Sequence, residues 1–180
     1  LSQSLVNVDE GKVVELLVSA LLDCGCTDLS KIGVISPYRA QVHYLKGPLA
    51  EVIDAYNRNH GNANKGSGSS VGASTALNVD DLDVSTVDKF QGRDKDVIIL
   101  STVRGRIAST SLQEKENEIV QVGELLRDWR RLNVAVTRAR YKLIVVGYTR
   151  AMQQVPLLQE FLQFIHEQQW NVELPVNAIE

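Results

Sequence analysis

Four arginines stand beside segments that read as buried strands, and their side-chain chemistry suits phosphate. Arg138 and Arg140 lie in WRRLNVAVTRARYKLIVVG, Trp129 to Gly147, just before a strand read at Lys142 to Val146, whose apolar run begins at Leu143. Arg39 follows the apolar run Ile32 to Ile35 in IGVISPYRAQV, among Ser36, Tyr38 and Gln41. Arg93 sits in QGRD, between Gly92 and Asp94. A guanidinium keeps its charge at any working pH and presents a planar fork that fits phosphate oxygens. A rigidly held one can meet charge developing on a phosphoryl group. In the QGRD turn glycine lets the backbone approach a ligand, Arg93 can face a phosphate, and Asp94 can accept hydrogen bonds from ribose hydroxyls. Ser85 and Thr86, just upstream, can donate hydroxyl and amide hydrogen bonds to a nucleic-acid phosphate. Each block also has a plainer reading: a polar helix start, a β-turn with a satisfied Asp-Arg pair, and an amphipathic helix whose Arg127, Arg130 and Arg131 point to water.

The other half of a nucleotide site is missing. The phosphate-cradling pattern G-x-x-x-x-G-K-[ST] does not occur. Gly11-Lys12 is followed by Val13, and Gly66, Gly68 and Gly72 lie in a Ser/Asn/Gly tract with no strand before it. Asp9-Glu10 superficially looks like a metal-binding acidic pair, but Asp9 reads better as the N-cap of a helix carrying Val13, Val14, Leu16, Leu17, Ala20 and Leu21.

The elements that must position these residues alternate. A helix from Asp9 to about Cys24 precedes the strand Ile32 to Ile35. A second helix opens at Pro37 or Tyr38, with Val42, Leu45, Leu49, Val52 and Ile53 at helical spacing and a break or kink at Gly47-Pro48. Residues 57–81 turn to Asn, Gly, Ser and Ala, the composition of a flexible loop. Val97 to Leu100 reads as another buried strand, and Arg104 to Gln121 as an exposed loop. Gly123 to Arg140 reads as a helix with Leu125, Leu126, Trp129, Leu132, Val136 and Ala139 inward, feeding the strand Lys142 to Val146. A last helix starts near Pro156 and buries Leu157, Leu158, Phe161, Leu162 and Ile165, before a tail over 171–180. Strands alternating with helices specify an α/β domain with a mainly parallel, doubly wound sheet, its core about 7–170. Ligands of such sheets lie beyond the carboxyl ends of the strands.

The 180 residues are 44% hydrophobic, enough for one well-buried domain, and no apolar run approaches membrane-spanning length. The start at Leu1 and the single Met152 suggest an excised piece. Cys24 and Cys26 have no second pair and no histidine nearby, which argues for reduced cysteines rather than a disulfide framework or zinc site. The net charge of −3 hides an asymmetry: residues 85–150 hold 13 Lys/Arg against 8 Asp/Glu, so the rest of the chain is acidic. A local positive surface is what the phosphates of a nucleotide or a nucleic-acid backbone require.

Taken in order, ISPYRAQ, VDKFQGRDKDVIIL and RRLNVAVTRAR resemble motifs IV, V and VI of superfamily 1 helicases, across about residues 7–147. The likeness is to subgroup 1B, which includes the nonsense-mediated-decay helicase. Within it, GELLRDWRRLNVAVTRARYKLIVVG is similar to the helicase/nucleases that process flaps and resect DNA ends. The resemblance implies the second RecA-like motor domain, without its own P-loop, of an ATP-dependent DNA helicase, with ATP and Mg²⁺ held chiefly by the first RecA-like domain of the same polypeptide. The isolated piece would then be inactive. Arg39, Arg93 and Arg138 would approach the γ-phosphate, Arg138 as arginine finger. Gln91 and Gly92 would line the nucleotide and Asp94 would contact its ribose, a place where the family more often has glutamate. Tyr38 would pack near the base or support the sheet edge. Ser85, Thr86 and Thr137 would contact single-stranded DNA. Two alternatives stay open: an RNA or RNA-DNA helicase of the same subgroup, or a non-catalytic nucleic-acid-binding RecA-like module. A nuclear location, with or without a mitochondrial one, and replication or repair partners follow from the resemblance alone. Any iron-sulfur cluster would lie elsewhere in the parent protein.

Overall fold

The computed structural model describes residues 6–61, 76–103, 128–153 and 155–175. The loop expected at Arg104 to Gln121, and Leu125 and Leu126 of the expected helix, lie outside the described residues. So do 62–75 of the expected loop and 176–180 of the tail.

Asn7, not Asp9, caps the first helix, α1 (Val8–Asp23), its side chain accepting from the Glu10 amide. Valine is a poor cap, and an Asn one residue earlier supplies the acceptor the first turn needs. Val14, Val18 and Leu22, four residues apart, form the buried stripe of α1, whereas Leu16 is exposed. The strand β1 (Ile32–Ser36) follows a short 3-10 turn and is buried at every position. The next helix, α2 (Arg39–Gly61), runs unbroken through Pro48 and five residues into the segment that composition assigns to a loop. Proline removes one ladder bond, but Leu45, Leu49 and Ile53 are fully buried on either side of it, and that packing holds the helix together. Near its end Asn57 clasps Leu77 through both backbone groups, at 2.9 Å each.

The strands β2 (Asp83–Thr86), β3 (Lys95–Ser101) and β4 (Ala139–Val146) complete a four-stranded, wholly parallel sheet in the order β2-β1-β3-β4. The α/β fold with a parallel sheet flanked by helices is therefore as expected. Side chains alternate between two layers. Ile32, Val34 and Ile99 meet α1 and α2 in one cluster, while Ile35, Ile98 and Leu100 meet Val87, Phe90 and Ala135 in another. Ala135 lies on α3 (Trp129–Val136). Double coverage explains why β1 and the centre of β3 are uninterrupted apolar runs. A Cβ on Gly33 would come within 2.5 Å of Phe90 Cζ, so the chain link between β2 and β3 packs directly on β1.

β4 differs from expectation. It begins at Ala139 rather than Lys142, lies at the sheet edge, and has Tyr141 exposed, with Leu143, Ile144 and Val145 only half buried. Trp129, expected inward, is exposed, with the Arg130 guanidinium 5.6 Å over its ring. After the short α4 (Thr149–Met152), α5 (Pro156–Glu167) opens with Pro156 in its first turn. Leu158 joins Met152, Val155 and Leu132 in a third cluster, whereas Leu157 stays exposed. No helix among the described residues is long and apolar enough to cross a membrane.

A buried carboxylate fastens the layers. Glu10 accepts from Ser101 Oγ and from the Val103 amide, both at 2.7 Å, while Asn7 Nδ2 donates to it at 3.3 Å. Gln41 on α2 donates to Asn7 O and to Ser101 Oγ. Val103, just past β3, has φ 61°, a left-handed conformation costly for a β-branched residue and held by this bond. Glu10→Ala is expected to destabilise the chain by about 3 kcal/mol in urea unfolding, because it leaves buried donors unpaired. Between α1 and α2, burial and the neighbouring Glu51 raise the Glu15 pKa, with Lys12 opposing. A raised carboxyl pKa means that stability falls as pH rises from the ordinary glutamate value through the raised one. Glu15→Gln should thus stabilise the chain by a few tenths of a kcal/mol at neutral pH. The gain should vanish below about pH 4 in thermal melts, where the carboxyl is protonated in both states.

Candidate functional site

The sequence places its candidate arginines together; the sheet divides them between its two ends. Arg39 opens α2 beyond the carboxyl end of β1, near Ser36, Tyr38 and Thr86, the last residue of β2. Gln91 to Asp94 precede β3, and Thr137 and Arg138 precede β4, so these stand at the amino end. Five residues of β1 separate the two ends by about 16 Å. Arg39, Tyr38 and Thr86 thus stand beyond or at the carboxyl ends, where ligands of such sheets are expected, whereas the QGRD and Arg138 turns stand at the opposite end. The cause is the link between β2 and β3. It must cross β1 and return to the amino end, and it does so in eight residues, Val87 to Asp94, with a 3-10 turn over Val87–Phe90.

At the amino end the two blocks meet. Gly92 has φ 79°, a conformation glycine adopts freely, and the Arg93 amide returns to Phe90 O at 3.1 Å to close the turn. The Lys95 amide donates to Arg138 O at 3.0 Å, where β3 meets β4. The Arg138 side chain is then held three ways. Nε donates to Val134 O at 3.0 Å, one terminal nitrogen to Asp94 Oδ1 at 3.0 Å, and the other to Thr137 Oγ1 at 3.1 Å. Of its five N–H donors, two have no partner among the described residues. A half-buried, oriented guanidinium with donors to spare can donate to a phosphate oxygen without reorganising.

Arg93 is also engaged, at 2.9 Å from Asp83 Oδ2, with Lys95 Nζ 3.9 Å from the same oxygen. The satisfied Asp-Arg turn of the plainer reading is thus not made by neighbours: Asp94 pairs with Arg138, and Arg93 with Asp83. Asp83 is the residue that sequence reading missed. Its one signal was its place at the head of the DVST segment, opposite a loop whose register no sequence pattern fixes. Ser85 Oγ donates to Asp83 Oδ1 at 2.8 Å. These side chains, with Lys46, Asp80 and Asp81, border a cleft of about 520 Å³ along β2.

Two hydroxyls expected to face nucleic acid are hydrogen-bonded within the chain. Thr137 Oγ1 donates to Asn133 O at 2.7 Å and supports Arg138, and Ser85 is tied to Asp83. Thr86 is almost wholly buried at the carboxyl end of β2. Gln91 is exposed in its turn, and Tyr38 is half-buried, its amide donating to Ser36 Oγ at 3.4 Å. Of the arginines read as solvent-facing, Arg131 pairs with Asp88 at 3.1 Å, Arg130 covers Trp129, and Arg127 lies outside the described residues. The free thiols of Cys24 and Cys26 are exposed, and no group of three metal-ligating side chains occurs among the described residues.

The family described as AAA domain matches residues 1–150. The DNA replication ATP-dependent helicase/nuclease of Bos taurus is 36% identical over 169 residues, covering 94% of this chain. Its human counterpart is 35% identical over the same length. The Regulator of nonsense transcripts 1 homolog of Arabidopsis thaliana is 36% identical over 176 residues, covering 98% of this chain. The chain spans 12% of the length of each of these relatives.

Proposed function

This chain belongs to the AAA domain family of the superfamily 1 helicases, and from that premise we propose that it is the second motor domain of an ATP-dependent DNA helicase/nuclease. Its amino end closes on ATP held by the P-loop and Mg²⁺ site of a first RecA-like domain, and its carboxyl end grips single-stranded DNA. The observation that carries the reading is the three-way hold on Arg138, which leaves two N–H donors for a phosphate.

ATP fits this end only as a shared ligand. Among the described residues the chain offers cations and amide donors for phosphate, and the sequence has no P-loop pattern. Mg²⁺, held by residues of the partner domain, would supply electrostatic activation of the phosphates. In this arrangement Arg138 meets the negative charge that develops as the γ-phosphoryl group is transferred. Arg93, turned towards Asp83, adds positive potential at the same end. Gly92 keeps the turn low enough for the nucleotide to approach. Arg39, exposed at the carboxyl end of β1, offers a cation for a strand phosphate. Each closure would move the strand relative to the first domain.

Removing an arginine finger lowers phosphoryl transfer by about 10³- to 10⁵-fold. Arg138→Ala in the full-length protein should therefore abolish steady-state ATP turnover while nucleotide binding, read by a fluorescent ATP analogue, persists. Turnover at the wild-type rate would overturn the assignment. The plant relative, as similar as the bovine one, favours a second reading in which the strand is RNA. Phosphate contacts alone do not read the sugar. On the DNA reading, single-stranded DNA stimulates the ATPase more than RNA of equal length, and the reverse order selects the second.

A further inference from the structure

Asp94 is the carboxylate that sequence resemblance sends to the ribose, yet its Oδ1 is occupied by Arg138 at 3.0 Å. We infer that Asp94 is the positioning residue for Arg138, acting on the reaction through the guanidinium rather than through the nucleotide sugar. This rests on the reading of Arg138 as arginine finger. The geometry gives the role a physical basis. Val134 O and Thr137 Oγ1 both belong to the end of α3 that carries Arg138, so they move with it. Asp94 alone among these three partners comes from the other block, 44 residues away in sequence.

The bonds to Val134 O and Thr137 Oγ1 tie the guanidinium to its own turn; the third, to a separate element, ties it to the QGRD block. Asp94 is itself anchored from both sides. The turn before it is closed by the Arg93 amide to Phe90 O, and the strand after it is joined to the Arg138 carbonyl by the Lys95 amide. Backbone and side chain of Arg138 are therefore both registered to the QGRD turn. A ribose ligand needs no such arrangement. A finger that must act at one position does, because small displacements of a catalytic group cost rate steeply.

The test uses the full-length protein and steady-state ATPase with ATP and with 2′,3′-dideoxy-ATP. Asp94→Asn should lower kcat about 10- to 100-fold with little change in KM, equally for both nucleotides. Asp94→Glu, which keeps the charge, should restore most of kcat. Combined with Arg138→Ala, Asp94→Asn should add nothing further, since both act through one group. The inference is overturned if Asp94→Asn leaves kcat unchanged, or if it raises KM for ATP but not for the dideoxy nucleotide, the mark of a ribose ligand. It is also overturned if the double variant shows the two losses multiplied. Failure of the underlying reading has a different signature, an Arg138→Ala enzyme with normal turnover.

Discussion

The parallel pairing of β3 with β4 is the constraint on which the candidate site depends. Its register sets Lys95 opposite Ala139 and Val97 opposite Lys142, with an irregularity between them. Because each strand is preceded by one of the functional blocks, aligning the strand starts brings QGRD and the Arg138 turn side by side. A slip of one residue would send the side chains of β4 to the wrong faces and part Asp94 from Arg138. The apolar alternation that holds the register is in turn the core: Leu143 and Val145 pack towards Ile98 and Leu100, while Ile144 faces the opposite layer. Packing in the centre of the sheet thus fixes chemistry at its amino end.

The carboxyl end is fixed by a different device. There Glu10 gathers the first turn of α1 and the end of β3, and Gln41 adds the start of α2. Thr102 extends the network to β4 by donating to Val146 O at 3.1 Å. A buried carboxylate is costly unless hydrogen-bonded, so its several donors make the arrangement all-or-none. The two ends are therefore held independently, one by strand register and one by a polar network.

How much of this was legible depends on the range of the interaction. β1, the buried centre of β3 and the start of α5 at Pro156 follow from apolar runs and a local proline preference. The run Leu143 to Val146 also announced a strand, but not that it lies at the edge, because burial is a property of neighbours and not of the segment. The same limit misplaced Trp129 and Leu157. Helical spacing marks an apolar stripe but cannot say which of its residues the sheet will cover. Pro48 misled in the other direction, since a local rule about one lost hydrogen bond was outweighed by burial along α2. At the site, arginine chemistry was readable and its division between two ends was not. That division comes from an eight-residue link crossing β1, and nothing local in VDKFQGRD encodes its direction. The partners of Asp83, Glu10 and Gln41 could not be read because they lie 10 to 93 residues away.

The energetics of the Asp94–Arg138 pair bear on why it exists. Arg138 is 21% exposed and Asp94 47%, so water screens the attraction and the pair adds only about 0–1 kcal/mol to folding. The three apolar clusters already hold the sheet together, and fold stability gives little reason for the pair. Orientation gives a better one. A long arginine side chain carries about 2 kcal/mol of rotamer entropy, comparable in size to what a single charge-assisted hydrogen bond returns. Restricting that freedom in the ground state leaves less to lose when phosphate arrives. An ion pair that is weak as a fastener can still be effective as a guide, and its place between two chain-distant blocks suits the second task.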